Sequence, residues 1–174
     1  MKIKQMHHVA YRCNDAKETV EFYNKFLNMD FILAISEDKV PSTGEPDPYM
    51  HVFMDAGQGN ILAFFELPNS PKMGRDLNTP EWVQHIAFEI ETYEDLLEAK
   101  KELEANGLAV VGPTNHGIIK SIYFFDPNGH RLELTCRVGT PDQMKELDSL
   151  KWTMLDEWSK TKKVVTHASW MHEE

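Results

Sequence analysis

HHVAY at His7–Tyr11 and QHIAF at Gln84–Phe88 are one short strand written twice, with His85 of the second copy standing where His8 stands in the first. Apolar residues alternating at period two mark each as a half-buried strand. The segments downstream of the two copies match as well. After the first, NDAKETVEFYNKFLNM sets Asp15 as a helix cap with Glu18 three residues on, a capping-box pattern. Val20, Tyr23, Phe26 and Leu27 then recur at helical spacing. After the second, TYEDLLEAKKELEANG offers Thr92 as cap, Leu96, Ala99 and Leu103 as a buried stripe, and Gly107 as the stop. Further on, YMHVFMDAGQGNILAFFELP gives two strands about Gly57–Gly59, and SIYFFDPNGHRLELTC gives two about Pro127–Asn128–Gly129. Preceding strands fit FILAIS and AVVGP. Both halves thus read strand–helix–strand–strand–strand, a duplicated module of the α+β class. One module cannot cover its own apolar sheet face, so the pair is expected to pack as one unit.

The first module occupies about residues 1–70 and the second about 80–140, together one domain over 1–140. NSPKMGRDLNTPEW between them is a polar, proline-bearing linker. Residues 141–174 form a C-terminal helix and tail: PDQMKELDSLKWTMLDEWSKTKK is one long helix with Leu147, Leu150, Met154 and Trp158 on a stripe. Its two tryptophans suggest packing onto the body of the protein or, second, onto a partner subunit. In the tail, His167 and His172 read as surface residues.

The composition of the 174 residues, 41% hydrophobic and 26% charged, suits one well-covered core. Apolar runs fall far short of the roughly 20 residues that cross a bilayer. The start, MKIKQMHHVAYRC, lacks a signal-type apolar stretch, so a cytoplasmic location is the default expectation. Cys13 and Cys136 both lie in expected strands without metal-type spacing and read as reduced core thiols. A net charge of −10 argues against nucleic acid or an anionic membrane as partner and is silent on small substrates.

Strand parity assigns faces. Val9, Tyr11 and Cys13 are the apolar set of the first strand, leaving His8, Ala10 and Arg12 opposite. Ile86, Phe88 and Ile90 leave His85, Ala87 and Glu89; Leu132, Leu134 and Cys136 leave Arg131, Glu133 and Thr135. The apolar sets belong against the helices, which puts His8, His85 and Glu133 on the face turned away from them. If the sheet curls, that face is concave. Two imidazoles and one carboxylate there make a facial ligand set for a divalent metal, with about three positions open. Each residue alone also suits a hydrogen-bonded or solvent-facing role. Their joint occurrence, with the histidines in equivalent places of a duplicated module, favours the metal.

The chain resembles the vicinal oxygen chelate superfamily (glyoxalases, bleomycin resistance proteins, extradiol dioxygenases) over roughly residues 3–138. The resemblance is sharpest at TNHGIIKSIYFFDPNGHRLE, Thr114–Glu133, which is similar to the signature of type I extradiol ring-cleavage dioxygenases. It implies paired modules forming a cupped mixed sheet, with His8, His85 and Glu133 as ligands and His116 and Tyr123 as catalytic residues that hydrogen-bond the substrate. The implied metal is Fe(II) first, with Mn, Ni, Zn or Mg as alternatives. The implied substrate is a catechol-like aromatic diol, and the implied assembly a homodimer. One departure stands out. Many extradiol enzymes carry an acid–base histidine before a Leu-Ala-Phe-like run, where GNILAFF offers Asn60, which cannot carry a proton in that role. His51 or His116 substitutes, or the reaction differs. A glyoxalase- or epimerase-like lyase or isomerase is the rival, using a fourth ligand for which Glu66 is the candidate, although parity alone puts Glu66 on the wrong face. A metal-free small-molecule binder is the third reading. Phe53 and Tyr49 are expected to line part of the cup.

Overall fold

The computed structural model describes residues 1–172; the side chain of His172, read above as a surface residue, lies outside the described set, as do Glu173 and Glu174. The chain forms two compact units, Met1–Gln84 with Phe125–Arg131 and His85–Phe124 with Leu132–Glu174.

In the first unit, β1 (Val9–Cys13), β2 (Asp30–Lys39), β3 (Pro46–Asp55) and β4 (Ile61–Glu66) form a sheet of order β1-β4-β3-β2. β1 runs parallel to β4, and the other pairs are antiparallel. Helix α1 (Ala16–Leu27) starts where Asp15 accepts a hydrogen bond from the Glu18 backbone N–H at 2.8 Å. It ends at Asn28, whose left-handed backbone (φ 51°) closes the last turn. Its buried face is Ala16, Thr19, Phe22 and Tyr23. The Tyr23 ring lies 5.0 Å from that of Phe64 in β4, which fixes Phe64 on the helix side.

The segment 125–131 also belongs to this unit and is more than a turn. Asp126, 6% exposed, accepts from the Tyr23 hydroxyl at 3.1 Å and from the backbone N–H groups of Asn128 and His130. Asn128 Nδ2 donates to Thr19 Oγ1 at 3.0 Å, and Asn128 Oδ1 accepts from the Asn14 N–H at 2.8 Å. Burial, with the Asp126 carboxylate second, pushes the Tyr23 hydroxyl pKa far above its ordinary range. The DPNGH residues thus fasten onto α1 through buried polar contacts.

In the second unit, β5 (Ile86–Glu89), β6 (Val111–Asn115), β7 (Ile119–Phe125) and β8 (Arg131–Arg137) form a sheet of order β5-β8-β7-β6, with β5 parallel to β8. Helix α2 (Tyr93–Ala105), capped by Thr92, buries Leu96 and Leu103. The sheet buries Ile122, Phe124, Leu132, Leu134 and Cys136. Helix α3 (Pro141–Thr161) opens with a full capping box between Thr140 and Gln143.

Of the two packings expected of the tryptophans on α3, the one onto the body does not form. No residue of α3 is buried: Leu147, Leu150 and Met154 are half-buried, and Trp152 and Trp158 stay exposed. The tail returns to the helix instead, with Trp170 Nε1 donating to Glu146 at 2.9 Å and His167 Nε2 at 2.7 Å from Glu157. The eight strands and three helices make an α+β architecture of two four-stranded mixed sheets with a C-terminal helix. Cys13 and Cys136 are free and buried, and burial pushes the Cys13 thiol up from 9.0 to about 11. Among the described residues no helix is long and apolar enough to cross a membrane.

Candidate active site

His8 stands one residue before β1 and His85 one residue before β5. The strand registers beyond them are equivalent: Val9 pairs with Leu62 and Ala10 with Ala63, as Ile86 pairs with Leu132 and Ala87 with Glu133. The two histidines therefore hold the same place in the duplicated module, and Ala63 is the counterpart of Glu133. Only the second copy carries the carboxylate.

In the first unit, cross-strand pairing sets Arg12, Phe65 and His51 in one row, and Ala10, Ala63 and Phe53 in the next. Because Phe64 meets α1, these residues occupy the opposite face. The His8 ring lies 5.7 Å from Phe53 and 6.1 Å from His51, and its Nδ1 is 2.8 Å from His7 Nδ1. His51 is 8% exposed and stacks on Phe65, with ring centroids 3.5 Å apart and planes at 18°. Burial, and then the charge of His8, lower its pKa. Tyr49 meets Phe65 at 5.4 Å, so Tyr49 and Phe53 flank His51 among aromatic rings.

In the second unit, Glu133 sits between Leu132 and Leu134 on β8, only 3% exposed. Its Oε2 lies 2.9 Å from His85 Nε2, and its Oε1 accepts from the Tyr123 hydroxyl at 3.2 Å. The same hydroxyl is 2.8 Å from His116 Nε2. Both His85 and His116 present ring edges to Tyr123 with centroids 6.2 Å away. One rung along the hairpin, Ser121 donates to Thr135 at 3.0 Å, which places Tyr123 and Glu133 on one sheet face. The outcome is a continuous polar chain, His116–Tyr123–Glu133–His85, set in an apolar strand.

Four of the residues singled out from the sequence thus come together within one unit, while His8 belongs to the other. Among the described residues no group of three or more His, Cys, Asp or Glu side chains is gathered as a ready metal site. Two donors of the kind a divalent cation takes do converge. An imidazole nitrogen and a nearly inaccessible carboxylate already converge, the carboxylate is oriented by a phenol, and nitrogen–oxygen sets of this type suit first-row metals.

Glu66 is occupied elsewhere. Its Oε2 accepts from the Ala16 N–H at 2.7 Å, at the positive end of α1, on the face opposite Ala63 and Phe65. Asn60 closes the β3–β4 turn, its Nδ2 donating to the Gly57 carbonyl at 3.0 Å. An amide in that position is a turn residue here. Sequence reasoning named Arg12 only as an occupant of the His8 face; the alternation Tyr49, His51, Phe53 was the signal that the row beside it is built for contact.

The Glyoxalase family model, described as the Glyoxalase/Bleomycin resistance protein/Dioxygenase superfamily, matches residues 5–134. A metapyrocatechase from Pseudomonas sp. (strain CF600) is 44% identical over 55 residues, covering 30% of this chain and 18% of that protein. A metallothiol transferase, FosB, from Staphylococcus epidermidis is 26% identical over 139 residues, covering 77% of this chain and 82% of that protein. The crystal structure of a mutant of the fosfomycin resistance protein FosX from Listeria monocytogenes, complexed with Mn(II) and 1S,2S-dihydroxypropylphosphonic acid, is similar in fold. Its TM-score is 0.55 at 22% identity, covering 83% of this chain and 99% of that one. The chain spans less than half the length of the ring-cleaving dioxygenases it matches.

Proposed function

The chain belongs to the Glyoxalase/Bleomycin resistance protein/Dioxygenase superfamily, and from that premise we propose that it is a metal-dependent extradiol-type dioxygenase acting on a catechol-like aromatic. The observation that carries this reading is the buried Glu133, bonded to His85 on one oxygen and to Tyr123 on the other, with His116 behind the phenol. Glu133 and His85, together with His8, the equivalent histidine of the first module, are the proposed ligands. Fe(II) is the favoured ion. When bound, it supplies two-point coordination of the diol and an electron path to dioxygen. The ring bond beside the diol breaks and both oxygen atoms enter the product, so no outside reductant is required.

The chain's own residues do the rest. Glu133, held at Oε1 by the Tyr123 hydroxyl, keeps one geometry for its carboxylate and leaves Oε2 beside His85 Nε2 for the ion. The Tyr123 hydroxyl, bridging His116 and Glu133, passes a proton between solvent-side imidazole and diol oxygen, and His116 takes the role that Asn60 cannot fill. The working unit is a homodimer.

A second reading, metal-assisted proton shuttling or thiol addition, draws on the match to FosB along most of that protein's length. In it Glu66 would be a fourth ligand, and its bond to α1 speaks against that.

The test is anaerobic purification, elemental analysis, and oxygen uptake with catechols, beside a screen of methylglyoxal–thiol adducts. The expected result is about one Fe per chain and uptake of one O2 per catechol. His85→Ala is expected to lose the metal while keeping the native circular dichroism spectrum. Stoichiometric metal in that variant would refute the ligand set, and turnover of the thiol adducts without oxygen uptake would select the second reading.

A further inference from the structure

Strand pairing in the first unit sets Arg12, Phe65, His51 and Ile35 side by side on the face turned away from α1. Two nitrogen atoms in that row are buried and have no hydrogen-bond partner: Arg12 Nε and His51 Nε2. The His51 side chain is held rather than free to swing out, stacked on Phe65 and 4.1 Å from the Phe53 ring, with 8% of its surface exposed. Arg12 commits Nη2 to the Pro71 carbonyl, and among the described residues no carboxylate pairs with its guanidinium.

An unpartnered buried polar atom is costly to keep. Such atoms are few in native structures, and a bound water, ion or ligand is one way they are satisfied. Here the missing partner must match a cation on one side and an imidazole on the other. β1 and β3 are two strand spacings apart across β4, roughly 10 Å, which accommodates a ring together with its substituent. β4 between them carries the Phe65 ring, and Phe53 stands beside His51 on β3.

We infer that Arg12 and His51 form a recognition subsite for an acidic group carried on an aromatic ligand. Arg12 Nε–H donates to an oxygen of the acid, His51 Nε2 pairs with a second polar atom, and the ligand ring lies against Phe65 and Phe53. The inference rests on the aromatic-substrate reading and narrows it to ring-bearing acids.

Calorimetric titration of the intact protein with benzoate, and with benzamide as its uncharged counterpart, tests this without turnover. Benzoate is expected to bind at least about tenfold more tightly, the equivalent of one good charge-assisted hydrogen bond. Arg12→Gln should erase that preference while leaving benzamide affinity in place. His51→Phe, which keeps the stack on Phe65, should weaken both ligands several-fold; His51→Gln, which restores a polar atom, should recover part of the loss. Equal affinity for benzoate and benzamide, or a preference that survives Arg12→Gln, would overturn the inference. So would unchanged binding in His51→Phe. The outcome separates from that of the parent reading. Oxygen uptake with plain catechol but no preference for its carboxylated form sinks only the subsite, whereas Arg12-dependent benzoate binding without any ring cleavage sinks only the dioxygenase.

Discussion

Tyr23 and Asp126 show how a single buried pair ties sequence-distant segments. The Tyr23 hydroxyl has no exposure, and its acceptor is a carboxylate that also accepts from the Asn128 side-chain amide and from backbone N–H groups of its own turn. Removing the hydroxyl leaves Asp126 Oδ2 with the Asn128 amide as its donor and one fewer hydrogen bond in a buried site. Tyr23→Phe is therefore expected to cost about 1–3 kcal/mol, read as a lower urea midpoint at unchanged slope. A loss below a few tenths of a kcal/mol would show that water replaces the hydroxyl. Sequence reading found Asn128 as a turn residue and stopped there, since turn propensity is local and the bonds of Asp126 and Asn128 to Tyr23, Thr19 and Asn14 cross more than a hundred positions. Glu133 was legible for the opposite reason. A carboxylate between two leucines breaks a period-two pattern, and the pattern alone assigns its face. Which groups bond it was not legible, because Tyr123 reaches it across a hairpin whose register the sequence does not print, and His85 from beside the neighbouring strand β5.

At the scale of elements, the order of strands and helices followed from periodicity and caps, and the boundaries did not. β2 continues through Ser36–Lys39, past the apolar run, because an edge strand pairs on one side only and tolerates polar residues. β6 begins at Val111 and runs on to Asn115 through an irregular register, which a reading centred on the apolar AVV could not place. Glu66 illustrates the gain from knowing the element it serves. Its carboxylate sits on the first N–H of α1, where opposite partial charges meet. Glu66→Gln is expected to lower stability by about 0.3–1 kcal/mol through that helix end. Metal content should not change. Elemental analysis of the variant decides the matter: a fall in bound metal would make Glu66 a ligand and return the proton-shuttling reaction to first place.

For the whole molecule, the apolar edge strand β2 calls for a partner. β2 lies at the end of its sheet, so among the described residues one side of its backbone has no strand partner, and all ten of its residues are exposed. Phe31, Ile32 and Leu33 each expose 49% and Ile35 exposes 37%. Charged residues, the usual protection of such an edge, come only at its ends in Asp30 and in Glu37, Asp38 and Lys39. A net charge of −10 disfavours indiscriminate self-association, so an ordered mate is the physical alternative to aggregation. The proposed homodimer supplies it: two copies of an edge strand pair antiparallel about a twofold axis, each giving the same patch. Sedimentation velocity at micromolar concentration is expected to show a single species near twice the chain mass. Ile32→Lys with Leu33→Lys, placing charge on both faces of the strand, should shift it to the monomer with the circular dichroism spectrum retained. A wild-type chain that sediments as a monomer would reject the dimer, and a dimer that survives both lysines would move its interface away from β2, with the exposed Trp152 and Trp158 of α3 the next surface to substitute.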